Sequence, residues 1–407
     1  MPIALPATLR FATLPPLALY IHIPWCVRKC PYCDFNSHEL RGTLAEERYI
    51  AALVADLERA LPEIWGRRLY SVFFGGGTPS VFSAQGIDTI LSAVRARLPL
   101  DADTEITLEA NPGTFEAEKF AGYRAAGVNR LSIGIQSFNP RHLQALGRIH
   151  DADEARRAID IARRHFDNFN LDVMYALPGQ TVEEARADIA AALDCAPAHL
   201  SAYHLTIEPN TWFYRHPPRL PDDDVAAAMQ EALEATLAAT GYVHYETSAF
   251  ARRTGSSPTP AYCRHNLNYW TYGDYLGIGA GAHSKISSAE RIVREMRCKQ
   301  PKAYMAQALD GNPVQTREQV GTREVGFEFM MNALRLTEGF ELRLFPERTG
   351  VPLNVVLPEL EAAERRGLIV RDHARIRPTP LGRRFLNDLL QLFLPEPAPA
   401  QVSGTKS

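Results

Sequence analysis

The stretch Tyr20–Phe35, YIHIPWCVRKCPYCDF, sets the reading of the whole chain: a short apolar run ends in Cys26, Cys30 and Cys33, spaced Cys-x3-Cys-x2-Cys. Three thiolates on one short loop can reach a single metal centre, and they suit a soft acceptor such as zinc or an iron–sulfur cluster. An odd local count cannot pair off into disulfides. Most cubane clusters use four thiolates, so three would leave one iron open to an outside ligand. The alternative is a structural zinc held by the three cysteines and His38, five residues after Cys33.

Working outward, residues 17–250 alternate short β-rich runs with longer helical ones. Strands are expected at 17–24, 69–77, 105–112, 130–137, 170–179 and 199–208, and helices at 45–61, near 84–98, near 181–195 and near 222–240. Six strand–helix units in succession imply parallel strands with helical crossovers, in an open α/β sheet or a barrel. Polar residues and glycines collect at the carboxyl ends of these strands: the cysteine loop, Gly75 to Thr78, Glu109 with Asn111, Gln136 and Asp172. In either architecture that edge carries the ligands, so motifs scattered in sequence converge in space.

Residues 251–315 read as a less regular connecting region that completes the core, preceded by an extension over 1–16. From 316 to 394 the pattern changes to helices and short strands, in the order of a winged-helix-like α+β domain. The tail 395–407 is rich in Pro, Ala and Ser and is expected to be disordered.

The chain has 407 residues, 46% apolar and 22% charged, and a net charge of -3. That gives ample core for a large and a smaller domain, and no global basic field for nucleic acid or anionic membrane. Six cysteines, three of them bunched, do not form a secreted disulfide framework. Neither a signal peptide nor a run of about 20 apolar residues for a membrane span is evident. The cytoplasm is the expected compartment.

The cysteine loop resembles that of the radical S-adenosylmethionine (SAM) proteins, in which three cysteines hold a 4Fe–4S cluster and the open iron takes SAM. Tyr32, just before the last cysteine, matches the family's aromatic position, and Tyr20 matches a tyrosine that touches SAM in the branch containing oxygen-independent coproporphyrinogen III oxidase. The resemblance implies a partial (β/α)6 barrel. It also implies SAM contacts from the GGGTP turn (Gly76, Gly77, Thr78), Glu109, Gln136, Arg148 and Asp172. By their residue types alone these are a tight turn, a strand-end carboxylate, an amide, a solvent-facing arginine and a costly charge in an apolar strand. His22 reads as core packing beside the site, and Cys195 and Cys298 as ordinary buried thiols.

Within this superfamily, HIPWCxxKCPYCDFNSH, GGGTPS and HNLNYWxxGDYLGIGAGAHS resemble the radical SAM haem chaperones over residues 17–390. The oxidase carries a further cysteine two residues after the third, where this chain has Phe35, and a longer N-terminal arm before its cluster. The resemblance implies a haem chaperone with exchangeable SAM, handing haem to acceptor haemoproteins such as respiratory ones. Membrane association would then be peripheral, through the acceptors, and the protein a monomer or homodimer. Radical SAM decarboxylation of coproporphyrinogen is the alternative.

Cys263 and His265, in the aromatic-rich CRHNLNYW, are candidate haem ligands by residue type; the competing reading is a seam joining the two domains. A nucleic-acid-modifying role through the C-terminal domain is disfavoured, because Glu341–Arg384 holds nine arginines against six acidic residues. No nucleic-acid partner is expected.

Overall fold

Each β-rich run from residue 17 onward becomes a strand and each following run a helix, in a computed structural model that describes residues 8–113, 117–253, 255 and 257–395. The six units are β1 (Leu17–Ile23) with α1 (Glu46–Ala60), β2 (Leu69–Gly76) with α2 (Ala84–Arg95), and β3 (Leu100–Ala110) with α3 (Ala117–Ala126). They continue as β4 (Arg130–Gln136) with α4 (Ala152–His165), β5 (Phe169–Tyr175) with α5 (Val182–Asp194), and β6 (His199–His204) with α6 (Asp223–Ala239). β1 to β6 lie side by side in sequence order and pair in parallel, which is a partial (β/α)6 barrel.

The local chemistry explains the boundaries. Central strands are buried on both faces, as in the Leu17–Ile23 run where only Tyr20 is partly open, because helices cover one side and the barrel interior the other. α4 and α5 begin with capping boxes, Asp151 with Glu154 and Thr181 with Glu184, which satisfy the first free amides.

The connecting region is more regular than its composition indicates. It adds strands Asp274–Ile278, His283–Ser287, Ile292–Arg297 and Val314–Gln319 beyond β1, the first parallel to β1 and the rest antiparallel. Strands Ala249–Ala251 and Val243–Glu246 extend the other side beyond β6, giving a sheet of 12 strands that stays open. Its periodicity is obscured by glycines such as Gly277, where a side chain would run into the His283 backbone.

A second apolar core, containing Val325, Phe329, Phe345 and Leu360, belongs to the C-terminal domain. Helices Val325–Ala333 and Leu357–Arg365 precede the antiparallel pair Ile369–Arg371 and Arg375–Pro378, and Leu386–Gln391 follows. This is the winged-helix-like order. Leu9, Tyr272 and Ile292 join that core, and the Arg10 amide donates to the Gly350 carbonyl at 2.9 Å, so the extension straps the second domain to the sheet. Arginines of this domain pair with carboxylates, Arg371 with Glu364 and Arg377 with Glu338 among them. Residues 1–7 of the extension, and the expected disordered tail from 396 on, lie outside the described residues. Among the described residues no helix is long and apolar enough to cross a membrane.

Candidate cofactor site

The cysteine loop leaves β1 at Ile23 and is closed on itself before it meets anything else. Trp25–Cys26 pairs in parallel with His38–Glu39, and the Lys29 ammonium donates to the Phe35 and Ser37 carbonyls at 3.1 and 3.0 Å. His22 lies under the loop. Its Nε2 is 2.9 Å from the Asn36 carbonyl and its Nδ1 3.0 Å from the Tyr20 hydroxyl, so it orients the loop and does not stand among the thiols. Burial lowers its pKa to about 4, which keeps it neutral.

Cys26, Cys30 and Cys33 are free thiols, Cys26 buried and the others half-buried. Burial raises the pKa of Cys26 and Cys33, and the neighbouring thiols raise it further. His38 is only partly buried, its ring held towards the Lys299 backbone. Among the described residues no three His, Cys, Asp or Glu side chains are gathered closely enough for a single metal ion. Three separated sulfurs around one cavity instead fit a cluster, which presents several irons across a larger body.

That cavity, of about 380 Å³, opens at the carboxyl ends of the strands and is walled by all three cysteines. Tyr32, Gly76, Gly77 and Thr78 line it, as do Glu109, Gln136, Arg148 and Asp172. Residues far apart in sequence are thus brought to one space. Tyr20 stands one layer behind: its ring packs against Gly75 and stacks near Phe73.

The GGGTP turn has a different reason for its glycines than ligand approach alone. A side chain at Gly77 would meet the Trp25 backbone oxygen at 2.6 Å, and one at Gly76, where φ is +115°, would meet the His22 ring at 2.5 Å. The Gly77 and Thr78 amides donate to the Ile23 and Trp25 carbonyls at 2.6 and 2.8 Å, which zips the turn to the start of the cysteine loop. Gly77→Ala is therefore expected to push the two segments apart. The reconstituted variant should hold less iron per chain while its far-ultraviolet circular dichroism is kept; full iron content would show that the loop tolerates the shift.

Arg148 ties the walls together. Its Nη1 lies 3.5 Å from the Cys30 sulfur, and its Nη2 donates to the Asn111 Oδ1 at 2.7 Å and to the Gly134 carbonyl. Asn111 in turn donates to the Thr78 hydroxyl at 3.0 Å. Gln136, at φ +70°, leaves its Oε1 buried without a partner among the described residues, an acceptor available to a ligand. Asp172 accepts from Ser132 at 3.1 Å and Asn170 at 2.8 Å.

Glu109 accepts from the Gly76 amide at 3.2 Å, and burial, together with the nearby Asp172, pushes its pKa up to about 8. Arg130 acts on Asp172, but no cation offsets the burial of Glu109, whose ionisation a ligand ammonium or sulfonium would restore. The sign of the pH effect follows. Between the ordinary value of 4.5 and about 8 the unfolded chain ionises at Glu109 while the folded one keeps the proton, so stability falls as pH rises through that window. The full penalty stands above it, at roughly 1.4 kcal/mol for each pH unit the window spans. Glu109→Gln should remove this slope: the variant gains on the wild type from pH 4.5 to 8 in urea titrations of the cofactor-free protein. Parallel curves would contradict the assignment.

Several residues on the cavity escaped the sequence reading. Arg130, Ser132, Asn170 and Ser201 line its floor. The signal available was period two: Asn170 and Asp172 point the same way on β5. The two candidates from CRHNLNYW separate. Cys263 reaches the cavity floor, buried, with its thiol 3.6 Å from Glu105 Oε1 and pushed up to about 12. His265 is core instead: its Nδ1 is 3.0 Å from the Ser71 hydroxyl and its ring stacks on Phe73 at 4.7 Å. Burial lowers its pKa to about 3, and its Nε2 is buried without a partner among the described residues.

With this geometry in hand, the chain was compared with known proteins. Residues 20–192 match the family model of the radical SAM superfamily, and 322–385 that of the HemN C-terminal domain. Over 386 residues the chain is 47% identical to the "Heme chaperone HemW" of Escherichia coli (strain K12), covering 94% of this chain and 99% of that one. The chain belongs to the HemW family. The Haemophilus influenzae protein of the same name is 46% identical over 389 residues, 94% of this chain and 99% of its own. A bovine relative, "Radical S-adenosyl methionine domain-containing protein 1, mitochondrial", is 35% identical over 391 residues, 93% of this chain and 87% of its own. In fold, this HemW-family chain is similar to the coproporphyrinogen III oxidase HemN of Escherichia coli, with TM-score 0.78, 23% identity, and coverage of 93% and 90%. Membership of the radical SAM superfamily carries with it a 4Fe–4S cluster and SAM, and the three free cysteines on one cavity suit that pair.

Proposed function

We propose that this protein is a haem chaperone: it binds haem and hands it to acceptor haemoproteins. Cys26, Cys30 and Cys33 hold the cluster in this reading, and the cavity beside them holds exchangeable SAM. The observation that carries it is the near-full-length likeness to proteins named heme chaperone. Respiratory haemoproteins are the proposed acceptors, and any association with membrane is peripheral and made through them.

The chain's own residues divide the work. Glu109, with the Gly76–Thr78 turn, offers an acceptor edge to the SAM ammonium, and Gln136 a free amide oxygen. Arg148, beside Cys30, brings a guanidinium to the cavity, suited to a carboxylate. Asp172, held by Ser132 and Asn170, adds negative charge for the sulfonium and ribose. When bound, the cluster and SAM supply one-electron chemistry at the SAM carbon–sulfur bond. The protein's part is to orient and to exclude water.

Phe35 is 59% exposed where the oxidase resemblance requires a further cysteine, so decarboxylation is not expected. The test is an anaerobic assay of the reconstituted protein with SAM and reductant, offering haem and coproporphyrinogen III in parallel. Stoichiometric haem binding without decarboxylated porphyrin is the expected result. Formation of protoporphyrinogen would make the protein an oxidase.

A further inference from the structure

The cysteine loop ends in three residues, Asn36 to His38, that are held from several sides at once. The Asn36 side-chain amide donates to the Ala280 carbonyl at 2.8 Å and to the Lys299 carbonyl at 2.9 Å, so both its protons are spent on the connecting region. Gly281 makes room for it: φ there is +78°, and a side chain would run into the Asn36 amide. The main-chain carbonyl of Asn36 lies 2.9 Å from His22 Nε2. On the next residue the Ser37 amide donates to the Phe35 carbonyl at 2.6 Å, and the Ser37 carbonyl accepts from Lys29 at 3.0 Å. The His38 amide donates to the Pro24 carbonyl at 2.7 Å.

What this clamp fixes in space is a hydroxyl. Ser37 is 5% exposed, and its Oγ lies 3.7 Å from the Cys33 sulfur. Once Cys33 is a thiolate on iron, its sulfur carries no proton and can only accept, so the Ser37 hydroxyl is the donor. Neither Asn36 nor Ser37 lines the 380 Å³ cavity, so neither is placed to touch SAM. Cys30 has a donor of its own in Arg148, at 3.5 Å, but that guanidinium also faces the cavity. The Ser37 hydroxyl is turned to the sulfur from outside it.

We propose that the Ser37 hydroxyl, fixed by the Asn36 clamp, donates to the Cys33 thiolate and raises the reduction potential of the cluster. The inference rests on the three-cysteine cluster assignment and adds a residue that acts through one of its ligands. Reduction brings in one electron from an external low-potential reductant and moves no proton; the hydroxyl keeps its hydrogen. The added charge is shared with the sulfurs, so an O–H donor on one of them binds the reduced state more strongly than the oxidised one. Burial keeps water from taking over that donation, and the clamp holds the hydroxyl in place through the change of charge.

The test is an anaerobic reductive titration of the reconstituted full chain with dithionite and low-potential dyes, without SAM, counting the reduced cluster by electron paramagnetic resonance. At equal iron per chain, Ser37→Ala should shift the equilibrium roughly tenfold towards the oxidised cluster, about 59 mV more negative for one electron. Ser37→Thr keeps the hydroxyl and should stay within about threefold of wild type. Asn36→Ala, which keeps the hydroxyl but releases the clamp, should move in the direction of Ser37→Ala. A wild-type potential in Ser37→Ala, or a Ser37→Thr displaced as far as Ser37→Ala, would overturn the proposal; a wild-type potential in Asn36→Ala would overturn the part given to Asn36. Pulsed resonance before and after exchange into D2O reads the donor without any variant. A reduced wild-type cluster coupled to no exchangeable proton would overturn the proposal even if Ser37→Ala held no iron. A wild-type chain that assembles no cluster would overturn the three-cysteine assignment itself.

Discussion

Cys30→Ala is expected to abolish the cluster. After anaerobic reconstitution the variant should lose the broad visible charge-transfer absorption and nearly all bound iron and sulfide, while its far-ultraviolet circular dichroism stays that of the wild type. The reasoning is local: Cys30 is half-buried on a loop closed independently of it, by the Trp25–Cys26 ladder with His38–Glu39 and by Lys29 on two carbonyls. Removing its sulfur leaves two thiols, too few to anchor a cubane against loss. It also strips Arg148 of its contact at 3.5 Å, leaving that guanidinium on Asn111 and Gly134. A variant with a full cluster spectrum would mean that Cys30 is not a ligand. Partial loss with a changed redox signature would also count against the three-cysteine assignment, since two thiolates would then suffice.

The second large effect is on stability. Arg297 is fully buried on the last residue of the strand Ile292–Arg297, its Nε 3.0 Å from Asp56 of α1 and its Nη1 2.7 Å from Glu295. Asp56 also accepts from Tyr304 at 2.9 Å, so one carboxylate joins α1, the connecting region and helix Pro301–Leu309. Burial pushes the Asp56 pKa up, and Arg297 is the main influence opposing it. Arg297→Ala would leave that carboxylate without its cation and should cost about 3–5 kcal/mol, read as a lower urea midpoint. Glu295 keeps Arg317 and Arg59 and suffers less. The double variant Asp56→Leu with Arg297→Met should recover part of the loss, because no uncompensated charge remains. An Arg297→Ala midpoint equal to wild type would show that water or a neighbour replaces the guanidinium.

These two expectations draw on different sources. Cys30 could be named from the chain alone, because thiolate spacing on a short loop is a local property. Arg297 could not. Nothing near it in sequence distinguishes it from the chain's other arginines, and its partner Asp56 lies on the first helix. The connecting region was opaque for a related reason: strands such as Asp274–Ile278 are short and glycine-broken, so alternation is lost although the backbone completes its ladder against β1.

The sequence by itself determined the alternation of strands and helices, the cysteine spacing and the accumulation of polar residues at strand ends. Those depend on periods of two and 3.6 residues and on turn chemistry, which act over a few positions. From them the parallel architecture and its ligand-bearing edge followed. Only the tertiary structure decided which residues share a cavity. It put Glu109 beside Asp172, placed Arg148 on Cys30, sank His265 against Phe73 and left Trp212 bare beside the loop. One carboxyl raises the pKa of another far away in sequence, and a histidine comes to lie buried against an aromatic ring, only once folding has fixed distance and burial. Those are the two quantities that no local pattern encodes.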